Sequence, residues 1–184
     1  MAIYSDNFNR VDSTTIGAGW TEITDDWSIK GNQLAPGLAT TGVVLYNLPL
    51  NTSDHYAEIA MPVATSTSMG VFARSDLAGN SFYLLRSNGT SWNLFTNIGG
   101  SFTSIGSYAA TLANGDVARI QCVGGTIKAF INGVERISVV DTAITTGTYT
   151  GIRSTQSSTA RYDNFTASDV GALYSDNGAF FDFI

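Results

Sequence analysis

The sequence predicts an all-β fold, a two-sheet antiparallel β-sandwich of jelly-roll type, on three observations. Helical periodicity is nearly absent. Short alternating runs are broken by Gly, Asn, Asp and Ser about every 8–12 residues, the spacing of sandwich and barrel strands. Matching segments, Asp6-Asn7-Phe8 and Asp163-Asn164-Phe165, stand near the start of the chain and near the end of its main body. Side by side as strands, they would close the sandwich with its own ends. A third echo, Tyr174 to Asn177, follows that closure and leads into Phe180-Phe181-Asp182-Phe183-Ile184.

The elements follow from turn chemistry. Val11 to Gly19 is a polar loop ending at Trp20. Gly31-Asn32 joins Trp27 to Lys30 with Gln33-Leu34, placing φ > 0 on residues that tolerate it. Val43 to Tyr46 is an apolar run suited to a strand covered on both faces. His55 to Met61 alternates, with His55, Ala57, Ile59 and Met61 on one side and Tyr56, Glu58 and Ala60 on the other. Val71 to Arg74 is the next strand.

Asn88-Gly89 then predicts a hairpin between Phe82–Ser87 and Thr90–Phe95, with Phe82, Leu84, Trp92 and Leu94 in the core. The segment from Gly99 to Tyr108 reads as loop or edge. Val117–Val123, Thr126–Ile131 and Val134–Ile137 form a meander through Gly124-Gly125 and Asn132-Gly133. A connector from Asp141 to Gly147 leads to Tyr149–Arg153, and Ala160 to Ala167 closes the sheet.

At 184 residues the chain is long enough for one well-buried domain, expected over 1–168, with 169–184 as a tail. The lone Cys122 excludes an internal disulfide and reads as a core residue. A net charge of −6 with scattered Lys and Arg argues against nucleic acid as a partner. No apolar stretch approaches the roughly 20 residues of a membrane span. The N-terminus lacks a basic region followed by an apolar run, so the expectation is synthesis and folding in the cytoplasm.

Together, the Asp6-Asn7-Phe8 opening, the Trp27-bearing hairpin WSIKGNQL, the meander ANGDVARIQCVGGTIKAFINGVE, the connector DTAITTGTYTGI and the closing Tyr162-Asp163-Asn164-Phe165 resemble the laminin-G-like, concanavalin A-like jelly rolls. The resemblance covers nearly the whole chain apart from the tail. It implies two antiparallel sheets packed face to face, one of them concave, with first and last strands adjacent. For function it implies less, because this fold hosts lectins, carbohydrate-binding modules, glycosidases, adhesion domains and virion proteins.

Enzyme chemistry finds little support. Glycosidases need two carboxylates, about 5–5.5 Å apart for retention. The resemblance implies these on one strand, but Glu22, Glu58 and Glu135 are far apart and no carboxylates stand at i, i+2 on a predicted strand. His55, the single histidine, follows Asp54 and reads as a partly exposed strand-end residue, and no Gly-x-Ser-x-Gly elbow exists. Cofactors are expected to be none, with structural calcium the one candidate, at Asp6 and Asp163 with Asn7 and Asn164.

A glycan site is expected at Arg74, Tyr83, Arg86, Asn88, Trp92 and Asn93, where aromatic faces stand beside planar donors and acceptors. Cross-strand pairing with Asp or Thr is the competing explanation for the arginines. Phe180, Phe181, Phe183 and Ile184 are expected to make assembly contacts, on virion proteins or on other copies of the chain, a trimer by analogy with viral fibres.

The resulting expectation is a non-enzymatic bacteriophage virion protein, a capsid decoration or fibre-like component, displaying a jelly roll that binds cell-surface polysaccharide. The alternative is a free carbohydrate-binding module or lectin.

Overall fold

The computed structural model describes residues 1–37, 41–155 and 157–171, which form fifteen strands and no helix. In chain order these are β1 (Ile3–Asp6), β2 (Trp20–Thr24), β3 (Ser28–Ile29), β4 (Leu34–Ala35) and β5 (Gly42–Tyr46). They continue with β6 (His55–Val63), β7 (Met69–Ser75), β8 (Ser81–Ser87), β9 (Trp92–Ile98) and β10 (Ser101–Tyr108). The last are β11 (Asp116–Val123), β12 (Thr126–Ile131), β13 (Val134–Val140), β14 (Tyr149–Ser154) and β15 (Arg161–Asp169).

Two antiparallel sheets result. An eight-stranded sheet runs β13-β12-β11-β6-β15-β4-β3, with β1 also paired to β15, and a seven-stranded sheet runs β10-β9-β8-β7-β14-β5-β2. The expected terminal closure is present: Ile3 faces Ser168 and Asp6 faces Phe165 across β1 and β15.

The two Asp-Asn-Phe segments converge on one indole. Phe8 lies 5.6 Å and Phe165 4.8 Å from the Trp20 ring, and Tyr46 packs edge-on to Trp20 at 5.1 Å. This aromatic group joins β15 of one sheet to β2 and β5 of the other. The segments are not conformational copies, since positive φ falls on Phe8 in the first and on Asn164 in the second, both at 49°. A phenylalanine there is unfavourable, and full burial of Phe8 together with the Arg10 N–H to Phe8 carbonyl bond holds it.

Turn chemistry is followed closely. Gly31 and Asn32 both have positive φ, at 59° and 60°, between β3 and β4. The β11-β12-β13 meander pairs as expected. The β8–β9 hairpin is present, but its loop has four residues, because Ser87 pairs with Trp92. There the Asn88 carboxamide oxygen accepts the N–H groups of Thr90 and Ser91, a side-chain turn in place of a tight backbone one. The segment after Gly99-Gly100 is the edge strand β10.

Two expectations need correction. Phe82 and Leu84 are buried, but not between the sheets. That core takes Tyr83, Leu85, Trp92 and Leu94, whereas Phe82 and Leu84 join Val43, Leu45 and Phe72 in a second cluster on the outer face of the seven-stranded sheet. Both faces of β8 are apolar, so alternation alone could not tell which set faces the other sheet. His55 is fully buried rather than partly exposed, because the Thr52–Asp54 turn and Arg74 close over it. Cys122 is buried and unpaired, and burial pushes its thiol up to about 12.

Candidate functional site

The outer face of the seven-stranded sheet carries the candidate site. Its floor is the second apolar cluster, where Phe72 and Phe82 stack at 4.6 Å. Gly151 makes room for it: a Cβ there would lie 2.1 Å from the Val44 carbonyl oxygen and 2.3 Å from the Phe72 ring. At one end the apolar floor gives way to a row running Val43, Arg153, Gly70, Arg86 and Asn93 across β5, β14, β7, β8 and β9.

This face is concave. Strands β14 and β10 are four inter-strand steps apart, roughly 19 Å on a flat sheet. The Arg153 guanidinium on β14 nevertheless sits 4.8 Å from the Phe102 ring centroid on β10. Side chains standing upright on a flat sheet would not meet over that span, so the sheet curls and brings the β10 edge over the face. The Arg86 guanidinium stacks on Phe95 at 4.3 Å and approaches the same Phe102 ring at 5.8 Å. Phe102 remains 37% exposed.

The electrostatics of the two arginines are unusual for a chain of net charge −6. Burial first, and then the neighbouring positive charge of Arg86, lower Arg153 to about 10, while Arg86 itself is lowered by burial. Among the described residues no ion pair holds either guanidinium. The Arg153 Nη1 atom is buried with no hydrogen-bond acceptor. Desolvated like charges with no counter-charge are costly, which makes this pair a functional candidate.

The structure divides the six residues expected from sequence. Arg86 and Asn93 face each other on the concave side, and Asn93 uses its amide to donate to the Ser91 hydroxyl at 3.0 Å. Asn88 is exposed but lines a separate hollow with Ser66, Thr90 and Leu112 at the loop end.

Tyr83 and Trp92 are fully buried in the inter-sheet core, which corrects the expectation that they stack on a sugar. The Tyr83 hydroxyl donates to Asp141 Oδ1 at 2.6 Å and accepts the Ile144 N–H; burial, then the Asp141 bond, push its phenol above the usual range. Arg74 is also buried. It donates to the carbonyls of Ser53 and Ile144 and to Asp54 Oδ1, at 2.8, 3.1 and 3.0 Å, and so ties two loops together. Sequence reasoning missed Arg153 and Phe102, because only the curvature of the sheet brings β14 and β10 together.

Asp6 and Asp163 do not make a cation cradle. All four lone-pair directions of the Asp6 carboxylate are taken: Oδ1 accepts from Phe8 N and Arg10 Nη1, and Oδ2 from Arg10 Nη2 and Trp20 Nε1. Burial alone would raise Asp6, but these bonds and the Arg10 charge hold it below the usual carboxylate range. Asp163 is raised, by burial first and then by the charge of Asp6. Among the described residues no group of three or more His, Cys, Asp or Glu converges as a metal set.

The glutamates are each engaged separately: Glu58 with Arg119 and Glu135 with Lys128, both at 2.8 Å, and Glu22 with the Trp27 N–H at 2.9 Å. Arg119 and Glu58 stand directly opposite on β11 and β6, one place where cross-strand pairing accounts for an arginine.

No protein-family model matches the sequence, and a search of curated proteins finds no match. Solved structures do match. The carbohydrate-binding module CBM66 from Bacillus subtilis superposes with a TM-score of 0.67 at 15% identity, covering 83% of this chain and 93% of its own. The exoplasmic/lumenal domain of VIP36 in its Ca2+/Man-bound form gives 0.66 at 9% identity, covering 85% of each chain. A prokaryotic β-1,3-1,4-glucanase (lichenase) derived from a mouse hindgut metagenome gives 0.64 at 9%, covering 92% of this chain and all of its own. The fold is therefore the concanavalin A-like, galectin-like β-sandwich that binding modules, lectins and glucanases share.

Proposed function

We propose that this chain is a non-catalytic carbohydrate-binding module or lectin whose site is the concave face of the seven-stranded sheet. The observation that carries the reading is the grouping of an accessible ring, Phe102, with planar hydrogen-bonding groups, Arg86, Arg153 and Asn93, on one curved surface. Sugar recognition needs an aromatic face for the ring and directional donors and acceptors for the hydroxyls. Structures of the same fold include a module named for carbohydrate binding and a lumenal domain bound to mannose, which supports this reading over the others.

The lichenase, and a region making up 38% of a GH43 protein from Bacillus licheniformis, share the fold as well, so the non-catalytic part of the proposal rests on the glutamates, each held by its own partner. Affinity electrophoresis through a panel of soluble polysaccharides tests the proposal. Wild type should be retarded by at least one of them and Phe102→Ala should not. Equal mobility of both proteins in every gel would sink it.

The virion-component reading is a separate proposal. It rests on Phe180, Phe181, Phe183 and Ile184, which lie outside the described residues, as does the Tyr174–Asn177 echo. Deleting residues 179–184 and measuring oligomeric state tests it: loss of an assembly supports it, and a chain that is monomeric before and after removes its physical basis.

A further inference from the structure

We propose, building on the glycan-binding reading, that the sugar this face takes carries a carboxylate, as in a uronic acid, and that Arg86 and Arg153 bind it together. Most other arginines have local partners. Arg10 is paired with Asp6, Arg74 with Asp54 and Arg119 with Glu58, and Arg161 donates to the carbonyls of Ser158 and Ala160. Arg86 and Arg153 instead share the ring of Phe102, flank the bare position Gly70 and have no carboxylate partner among the described residues, although the chain holds 15 Asp and Glu against 9 Lys and Arg.

Bringing two partly desolvated guanidiniums together costs free energy, and although the Phe95 and Phe102 rings offset part of it, no carboxylate among the described residues pairs with either charge. A ligand carboxylate would supply the missing counter-charge. A planar carboxylate matches the guanidinium fork and accepts two parallel N–H bonds. The carboxylate-bearing ring would then lie over Phe102, with Asn93 in reach of its hydroxyls.

A neutral sugar would leave both charges unmatched. The overall charge of −6 makes indiscriminate attraction of polyanions unfavourable, so retention of an acidic glycan would report on this local pair.

The test compares polygalacturonate with its methyl ester, which keeps the sugar and removes the charge, and adds a neutral glucan and dextran sulfate. Binding is measured by calorimetry on wild type, Arg86→Gln and Arg153→Gln, with thermal melts to establish folding. The expected result is at least tenfold tighter binding of the free acid than of the ester, and at least a tenfold loss in Arg86→Gln. The ester comparison uses wild type alone and stands even if Arg153→Gln fails to fold.

Equal affinity for acid and ester, an unchanged affinity in folded Arg86→Gln, or equally tight binding of dextran sulfate each overturns the inference. Binding of the neutral glucan alone overturns it but leaves the glycan-binding reading intact. No binding of any probe overturns both.

Discussion

Lowering the pH from 7 to 4 should cost this protein about 3 kcal/mol of stability through His55 alone. The imidazole is fully buried at the start of β6. Its Nε2 accepts the Arg74 backbone N–H at 3.0 Å, which assigns the proton to Nδ1, where it is donated to the Thr52 carbonyl at 2.8 Å. A second proton would have to sit on Nε2, against an N–H and beside the Arg74 guanidinium. Burial, reinforced by that positive charge, lowers His55 from 6.5 to about 4.

Because the folded value lies below the unfolded one, the unfolded chain takes up the proton first. Stability is full above pH 6.5 and falls as pH drops through the interval down to about 4. At 1.36 kcal/mol per pH unit the interval corresponds to roughly 3 kcal/mol. Urea unfolding at intervals from pH 7.5 to 4 should show the decline beginning near 6.5. His55→Asn should flatten it, whatever that variant does to absolute stability. A wild-type curve that is level from pH 7 to 4.5, or an equally steep decline in His55→Asn, would refute the reasoning. Loss below pH 3.8 belongs instead to carboxylates such as Asp6 and Asp169, which the fold holds below their usual value.

Other perturbations have equally definite outcomes. Asp6→Ala strands the Arg10 guanidinium, the Trp20 indole N–H and the Phe8 N–H, and should cost about 2–3 kcal/mol in denaturant unfolding. Gly151→Ala places a methyl group against the Val44 carbonyl and the Phe72 ring, and should destabilise by roughly 3 kcal/mol or prevent folding, read by yield and melting temperature. Calcium chelation should leave the melting curve unchanged, since Asp6 has no lone pair to offer; a lowered melting temperature with EDTA, restored by calcium, would contradict that. Phe102→Ala should remove glycan retention with a change in melting temperature of only a few degrees, because its ring lies on the surface of the concave face rather than in the inter-sheet core.

Local chemistry made most of the fold legible. Gly31-Asn32, Gly124-Gly125 and Asn132-Gly133 each announced a turn, and the Asp-Asn-Phe repeat announced the β1–β15 closure. The alternation of β6 separated its two faces, and the one carrying Ala57, Ile59 and Met61 is buried, as is His55, which was expected to be partly exposed. What stayed hidden depends on the second layer. Phe82 and Tyr83 are both large and apolar, and only the position of the other sheet decides that Tyr83 enters the core while Phe82 enters the outer cluster.

The candidate site was half legible for the same reason. Arg86 and Asn93 are neighbours across one hairpin, so sequence could associate them. Arg153 and Phe102 belong to strands four steps away from each other, and no spacing rule relates them. The Phe8 and Phe165 pair came out as a clasp around Trp20, with Asp6 serving that clasp rather than a cation.

The most direct test of the central claim, that the concave face of the seven-stranded sheet holds the ligand, is a chemical-shift map of the labelled protein titrated with a polysaccharide that retards it in gels. The account predicts that the largest shifts fall on Arg86, Asn93, Phe102 and Arg153 and their neighbours on β8, β9, β10 and β14. Shifts confined to the outer face of the eight-stranded sheet, or to the loop around Asn88 and Ser66, would contradict it.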